Sequence, residues 1–427
     1  MRVLYDISSL GLAHLYTQSR GGAFRVDLHI GEGLAASGEC ELLFCANHSA
    51  VAYRGCETFL HAHARLGAIP LVAPGASGRR HAVVRATARA AHRLVRRLSG
   101  GNVLPPVVRR VGRLVDERLH PRVDGAGMPV DIFHSSPLAP LPAPAHGGLP
   151  RRFLTVYDLA FVRFPAIYST AYRDALVGGL RSLRPGDHVM TTSNFVRDEL
   201  AAEGVAPRDR IHVVPLAADA AIFYRCEDPE RIASVRRKYG IPEGPYALGV
   251  NTPDLRKNVP HTIHAFARAW HEGRGALTSL VLTGHPGPGS DRIRQAMSEH
   301  PDLRERIVLT GYVPDEDLAP LYTGAQVFVY NSIYEGFGLP PLEAMQCGTP
   351  VITSDTSSLP EVVGDGGVMV GPGDLDGLAG AMLDLVTDSA RRDRLQACAL
   401  AQAGRFSWER TTASTLHAYR TALQDNA

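Results

Sequence analysis

The amino-acid sequence predicts an α/β protein of two doubly wound domains facing each other across a cleft. Three observations carry this. Short apolar segments alternate with segments of helical spacing, the pattern of parallel strands joined by helical crossovers. The alternation breaks once, at "PLAADAAIFYRCEDPE" (215–230), and then resumes. The 427 residues, 45% hydrophobic and 21% charged, supply enough apolar material for two cores of ordinary size.

The elements follow in order. "RVLYDI" (2–7) is the first strand and runs into a polar, glycine-bearing loop, "SSLGLAHLYTQSRGG" (8–22). "AFRVDLHIGEGLAAS" (23–37) has the apolar spacing of a helix. "CELLFCA", "VDIFHSS", "RRFLTVYD", "HVMTTS" and "IHVVPLA" read as the remaining strands of the first domain, residues 1–216. In the second domain, residues 217–405, the strands are "YALGVN", "TSLVLTG", "RIVLTG", "AQVFVYNS", "PVITSD" and "GGVMV". Helices such as "VPHTIHAFARAWHEG" fill the gaps, and residues 406–427 form a last helix. Ligands of such folds bind beyond the carboxyl ends of the strands, so both domains offer loops to the cleft.

Composition narrows the partners. A formal net charge of +2 implies no polyanion partner, and no nucleic acid is expected. The charge is uneven: Arg79 to Arg122 holds twelve arginines, no lysine and two acids. Arg85, Arg89, Arg93 and Arg97 recur every fourth residue. This reads either as a basic amphipathic helix lying on an anionic membrane or as a solvated face. The six cysteines are scattered without a CxxC pair, as in a reduced, cytoplasmic protein. The N-terminus reads as a strand, not a signal peptide, and no apolar run reaches the roughly 20 residues of a membrane span. A cytoplasmic protein is expected, with peripheral contact at the inner face of the membrane if the arginine segment binds lipid.

The chemistry concentrates in "YEGFGLPPLEAMQCGTPV" (334–351). Strand "AQVFVYNS" ends near Ser332, so "IYEGFG" is a loop at a strand's carboxyl end. Pro340 and Pro341 suit only the first turn of a helix. A helix start favours an anion such as a phosphate, and Gly336 and Gly338 let backbone approach it. Glu343, placed in that first turn, can accept hydrogen bonds from a ribose diol. Glu335 can hold sugar hydroxyls. Both glutamates can equally serve as helix caps. In "LGVNTPDLRKNV" (248–259), Arg256 and Lys257 follow a strand and precede a helix; they suit a diphosphate, or a solvated basic turn. His134 ends an apolar strand, facing a sugar hydroxyl or the core. Tyr157 and Asp158 end another, and Asp158 either contacts an acceptor hydroxyl or caps the next segment.

The segment "YNSIYEGFGLPPLEAMQCGTPVITSD" resembles the signature of retaining glycosyltransferases of family 4. "TTSNFVRDEL", "IHVVPLAAD", "RKN", "LVLTG", "RIVLTGYVPDEDLAPLYTGAQVFV", "SSLPEVVGDGG" and "FSWERTTASTLHAYR" resemble the same family in the same order. The resemblance covers nearly all of 150–427 and, more weakly, 1–60. It implies a GT-B fold of two Rossmann-like domains, with a nucleotide-sugar donor on the second domain and an acceptor on the first. The last helix then crosses back to the first domain. By motif match, Glu335 contacts the donor sugar and Glu343 the ribose. Lys257, with Arg256 beside it, holds the diphosphate, and Gly336, Phe337, Gly338 and Leu339 form the donor loop. The backbone at Tyr312 and Val313 contacts the base, His134 lies by the donor sugar, and the loop at Gly21 and Gly22 approaches the phosphates. Three positions depart from the pattern. Tyr157–Asp158 stands where many relatives have His–Asp. No arginine stands near Asn251, a role that passes to Arg256. Asn331 stands where proline is usual.

The resemblance implies a retaining, metal-independent transfer of a hexose, mannose-type favoured, from a GDP- or UDP-type carrier. No cofactor is expected beyond this co-substrate, and no DxD-type metal pair ends a strand. The expected acceptor is lipid-linked or an oligosaccharide, with a lipid-linked O-antigen intermediate preferred. A sugar-nucleotide epimerase or hydrolase on the same fold is the alternative. A glycosidase using the two glutamates fits less well, because it needs no diphosphate cradle.

Overall fold

The structure is a computed structural model that describes residues 1–15, 22–73, 123, 128–135, 138, 139, 141, 150–250, 254–284 and 289–425. Gly21, Asn251 and the Arg79–Arg122 segment lie outside the described residues.

Among the described residues, twelve strands form two six-stranded sheets, and every pairing is parallel. The first sheet holds β1 (Arg2–Asp6), β2 (Glu41–Cys45), β3 (Ile132–Ser135), β4 (Arg151–Thr155), β5 (His188–Thr191) and β6 (Ile211–Val213), in the order β2-β1-β3-β4-β5-β6. The second holds β7 (Tyr246–Val250), β8 (Ser279–Thr283), β9 (Ile307–Gly311), β10 (Val327–Tyr330), β11 (Val351–Ser354) and β12 (Gly367–Val370), in the order β12-β11-β10-β7-β8-β9. Each strand falls inside an apolar segment read from the sequence. The central ones, such as β10 and β11, are buried throughout, as strands covered by helices on both faces must be. The strand order of the second sheet reverses between β7 and β10, which pair in parallel through Ala247–Val327, Leu248–Phe328 and Gly249–Val329. A crevice therefore opens beyond their carboxyl ends.

One expectation is corrected. The stretch after β1 is not all loop: Ser8–Leu15 is a helix. Asp6 accepts the Ser8 amide at 2.9 Å, and Leu10 and Ala13 are buried. Gly11 crosses Gly55 of the Ala50–Ala62 helix so closely that a Cβ on Gly55 would lie 2.1 Å from the Gly11 carbonyl. Gly11 and the two leading serines disguise the helix, whose stability comes from that tight crossing.

The Trp408–Gln424 helix packs on the first domain. Thr411 Oγ1 donates to the Pro215 carbonyl at 2.7 Å, Tyr419 is fully buried, and Arg420 pairs with Glu39. Gly33 makes room for this helix, since a Cβ there would lie 1.9 Å from Thr412 Oγ1. No helix among the described residues is long and apolar enough to cross a membrane.

Candidate active site between the domains

The crevice beyond β7 and β10 gathers the chemistry. The loop after β7 carries Lys257, and the loop after β10 carries Glu335. They meet because these strands are neighbours across the switch point. Lys257 Nζ lies 2.6 Å from Glu335 Oε1. The Tyr330 hydroxyl donates to the same oxygen at 2.9 Å, and Ser332 Oγ also donates to it. Lys257 Nζ further contacts the Tyr330 hydroxyl. Glu335 is 7% exposed, so these donors hold a carboxylate that burial would otherwise penalise. No partner reaches Glu335 Oε2 among the described residues, and it can accept from a sugar hydroxyl. The Ile333 amide donates to the Arg256 carbonyl at 2.7 Å, locking the two loops together.

Arg256 turns a different way from Lys257. Its Nε donates to Asp254 Oδ2 at 2.9 Å, and its Nη1 lies 3.7 Å from Asp158 Oδ2 of the first domain. It therefore stands between the two domains. Burial raises the Asp158 carboxyl above the usual range, with Arg256 pulling the other way.

The helix start also departs from the sequence reading. Leu339–Gln346 begins after Gly338, whose φ of 118° suits glycine. Gly348, at φ 74°, closes the far end. Pro340 and Pro341 occupy the first turn but lack amide protons, so an anion meets the helix dipole and the amides of Gly338 and Leu339 only. Glu343 is the fifth helical residue, one position beyond the first turn. Burial pushes its carboxyl up to about 7, opposed by Arg25, whose Nη1 lies 3.9 Å away.

Gly336 does not open onto an anion. A Cβ there would lie 2.2 Å from the Tyr157 carbonyl, and its own carbonyl accepts from Thr192 Oγ1 at 2.9 Å and Ser193 Oγ at 2.8 Å. It is one of the points at which the domains touch. Phe337 packs edge-on against Phe406, with ring centroids 5.8 Å apart. Gly22 faces Leu339, whose Cδ1 would lie 3.5 Å from a Cβ on the glycine. Tyr312 is 60% exposed beside buried Val313, so the chain there runs along the rim. Tyr157 donates to Asp27 Oδ1 at 3.2 Å, within the first domain.

His134 is a correction. Its ring is fully buried, Nδ1 bonds the Tyr419 hydroxyl at 2.6 Å and Nε2 bonds Thr155 Oγ1 at 2.7 Å. Burial pushes it down to about 3. With both nitrogens occupied inside the core, it anchors the last helix and does not reach a donor sugar.

Several residues escaped sequence reasoning. Arg25 reaches from the first domain to Asp315 at 2.6 Å and towards Glu343. Glu361 of the second domain caps a first-domain helix, accepting from the Asn194 and Phe195 amides at 2.8 and 2.6 Å. Asp27 is buried under the hydroxyls of Tyr5, Ser9 and Tyr157, and burial pushes it up to about 6. The glycine loop before Arg25 was the available signal for that residue. Glu361 lies in "SSLPEVVGDGG", a segment already marked by the resemblance, though without a role for it; for Asp27 there was no signal.

Residues 232–400 match the family model for Glycosyl transferases group 1. The chain is 40% identical over 239 residues to O-antigen chain mannosyltransferase B of Escherichia coli, covering 56% of this chain and 62% of that protein. It is 30% identical over 256 residues to the serotype-specific mannosyltransferase WbdA of Escherichia coli, covering 60% of this chain and 31% of that one. The matched region thus spans less than two thirds of these relatives' length. In structure the chain is similar to sucrose-phosphate synthase from Thermosynechococcus elongatus, with a TM-score of 0.66, 20% identity, and coverage of 99% and 98%. That likeness shows the two-sheet GT-B fold.

Proposed function

We propose, from the premise that this chain belongs to the Glycosyl transferases group 1 family through residues 232–400, that it moves a mannose-type hexose from a nucleotide diphosphate to an acceptor hydroxyl with retention. The observation that carries this is the Lys257–Glu335 pair at the β7–β10 crevice, facing Asp158 of the other domain. The names of the relatives in Escherichia coli support mannose and an O-antigen-type acceptor.

Each group has a task. The ammonium of Lys257 has three N–H donors; Glu335 and Tyr330 take two, and one remains for a phosphate oxygen. Together with the helix dipole at Leu339 it stabilises charge as the diphosphate leaves. Glu335 Oε2 orients the sugar, and Glu343 accepts from the ribose diol. The acceptor oxygen forms the new bond to the anomeric carbon on the face the diphosphate leaves. The acceptor proton passes to that diphosphate. With fixed positive groups at the leaving group, the reaction is proposed to need no metal. A lipid-linked acceptor would require work at a membrane surface, which the arginine-rich sequence of 79–122 suits.

Thermal stabilisation by GDP, UDP, TDP, CDP and their common sugars, without metal, tests the reading. Stabilisation by one nucleotide, lost in Glu343→Ala, is expected. No response to any of them would overturn it.

A further inference from the structure

The helix Gly22–Ala36 of the first domain turns one face towards the second domain and the linker. Gly22 abuts Leu339 at the start of the Leu339–Gln346 helix, and Arg25, His29 and Gly33 follow at helical spacing. His29 bonds Asp219 of the linker at 3.1 Å, and its ring stacks on Trp408 with centroids 4.3 Å apart. Arg25 is therefore carried on a helix that is tied down along its length. Its guanidinium lies 5.6 Å from the centre of the buried Phe223 ring.

That guanidinium forks across the cleft. Nη2 donates to Asp315 Oδ1 at 2.6 Å, and Nη1 lies 3.9 Å from Glu343 Oε1. The second distance is short enough for charge attraction and too long for a hydrogen bond. Arg25 thus favours a carboxylate at Glu343 while leaving its oxygens open to a vicinal diol. The need is real, because the Glu343 side chain is only 14% exposed and burial favours its neutral acid. The neutral acid is the poorer acceptor for two hydroxyls. The groups facing Glu343 are Arg25, then Asp315 and Tyr322 of the Asp315–Thr323 helix, and Cys347 just beyond its own helix. Arg25 and the Tyr322 hydroxyl favour the charged form, and Asp315 opposes it.

We propose that Arg25 is a positioning residue of the nucleotide site: from the opposite domain it holds Glu343 as the carboxylate that a ribose requires. Arg25 touches neither diphosphate nor sugar in this role and acts through Glu343. The inference rests on the transferase reading, which gives Glu343 the ribose.

The test is calorimetry on the full-length protein with GDP, UDP, TDP and CDP, without metal, from pH 6 to pH 9. Affinity for the nucleotide that binds should rise with pH through the Glu343 titration, as free carboxylate forms. In Arg25→Met the midpoint of that rise should move up by about one pH unit. Affinity at pH 7 should then fall about fivefold and recover at pH 9. Arg25→Lys should restore the midpoint, and Asp315→Asn should move it down, so the reading does not depend on one variant folding. In a Glu343→Gln background, Arg25→Met should change affinity no further. An unmoved midpoint in Arg25→Met, an equal loss at every pH, or the same loss in the Glu343→Gln background would overturn the proposal. Failure of the unmodified protein to bind any of the four nucleotides would instead sink the transferase reading itself.

Discussion

The Lys257 ammonium and the Glu335 carboxylate lie 2.6 Å apart, with side chains only 13% and 10% exposed. Neither is stable alone there. Lys257→Ala strands a buried carboxylate and should cost about 3–5 kcal/mol of stability. It should also lower turnover by about 100-fold or more, since it removes a fixed donor to the leaving group. The double variant Lys257→Met/Glu335→Leu should regain stability without regaining turnover. Chemical denaturation and initial-rate assays separate the two. Near-normal activity in Lys257→Ala would remove it from the diphosphate site.

Gly336 sets how closely the domains approach. In Gly336→Ala the new methyl would lie 2.2 Å from the Tyr157 carbonyl, a rigid atom, so the domains must part. Turnover should fall about tenfold or more, because reacting groups are displaced by about an ångström. Nucleotide binding should change little. Small-angle scattering should show an expanded molecule. An unchanged radius with full activity would show that closure tolerates the methyl.

Glu343 predicts a pH dependence. Its carboxyl is pushed up to about 7 in the folded protein, above its unfolded value. The folded state holds the proton more tightly, so its contribution to stability is full below the unfolded value and lost as pH rises through about 7. Glu343→Gln should therefore stabilise the free protein at pH 8 by an amount on the order of 2 kcal/mol. Nucleotide affinity should rise from pH 6 to pH 8 as the carboxylate forms to accept from the ribose, and Glu343→Gln should lose that rise. Thermal melts across pH with and without nucleotide read both effects.

His134 behaves as a core group. Its folded value is pushed down to about 3, below the unfolded one, so its contribution is present above the unfolded value and lost as pH falls towards 3. His134→Ala should cost about 2–4 kcal/mol through the cavity and the unpaired Tyr419 hydroxyl. The donor KM of the folded fraction should not move. A raised donor KM with unaltered stability would return His134 to the sugar site.

Much of the fold was legible. All twelve strands of the described residues lie in segments read as apolar runs, because a strand buried on both faces needs such a run whatever its neighbours. The helix at Ser8–Leu15 was not, because its stability lies in a glycine-to-glycine crossing with residues 50–62. The site was legible in part. Glu335 and Lys257 were marked by strand-end position and residue type. The orientation of Arg256 towards Asp254 and Asp158 was not, nor was the use of Gly336 as a domain contact.

By itself the sequence determined the strands, their alternation with helices, and which loops carry charge at strand ends. These are local properties, set by periodicity and by proline and glycine. Tertiary structure alone decided the partners. Lys257 meets Glu335 because β7 and β10 pair at the switch point of the sheet. Arg25 meets Asp315 from 290 residues away, and His134 meets Tyr419 from 285. A histidine at the end of an apolar strand reads the same whether a substrate or a returning helix covers it. Only the packed chain shows that the helix does.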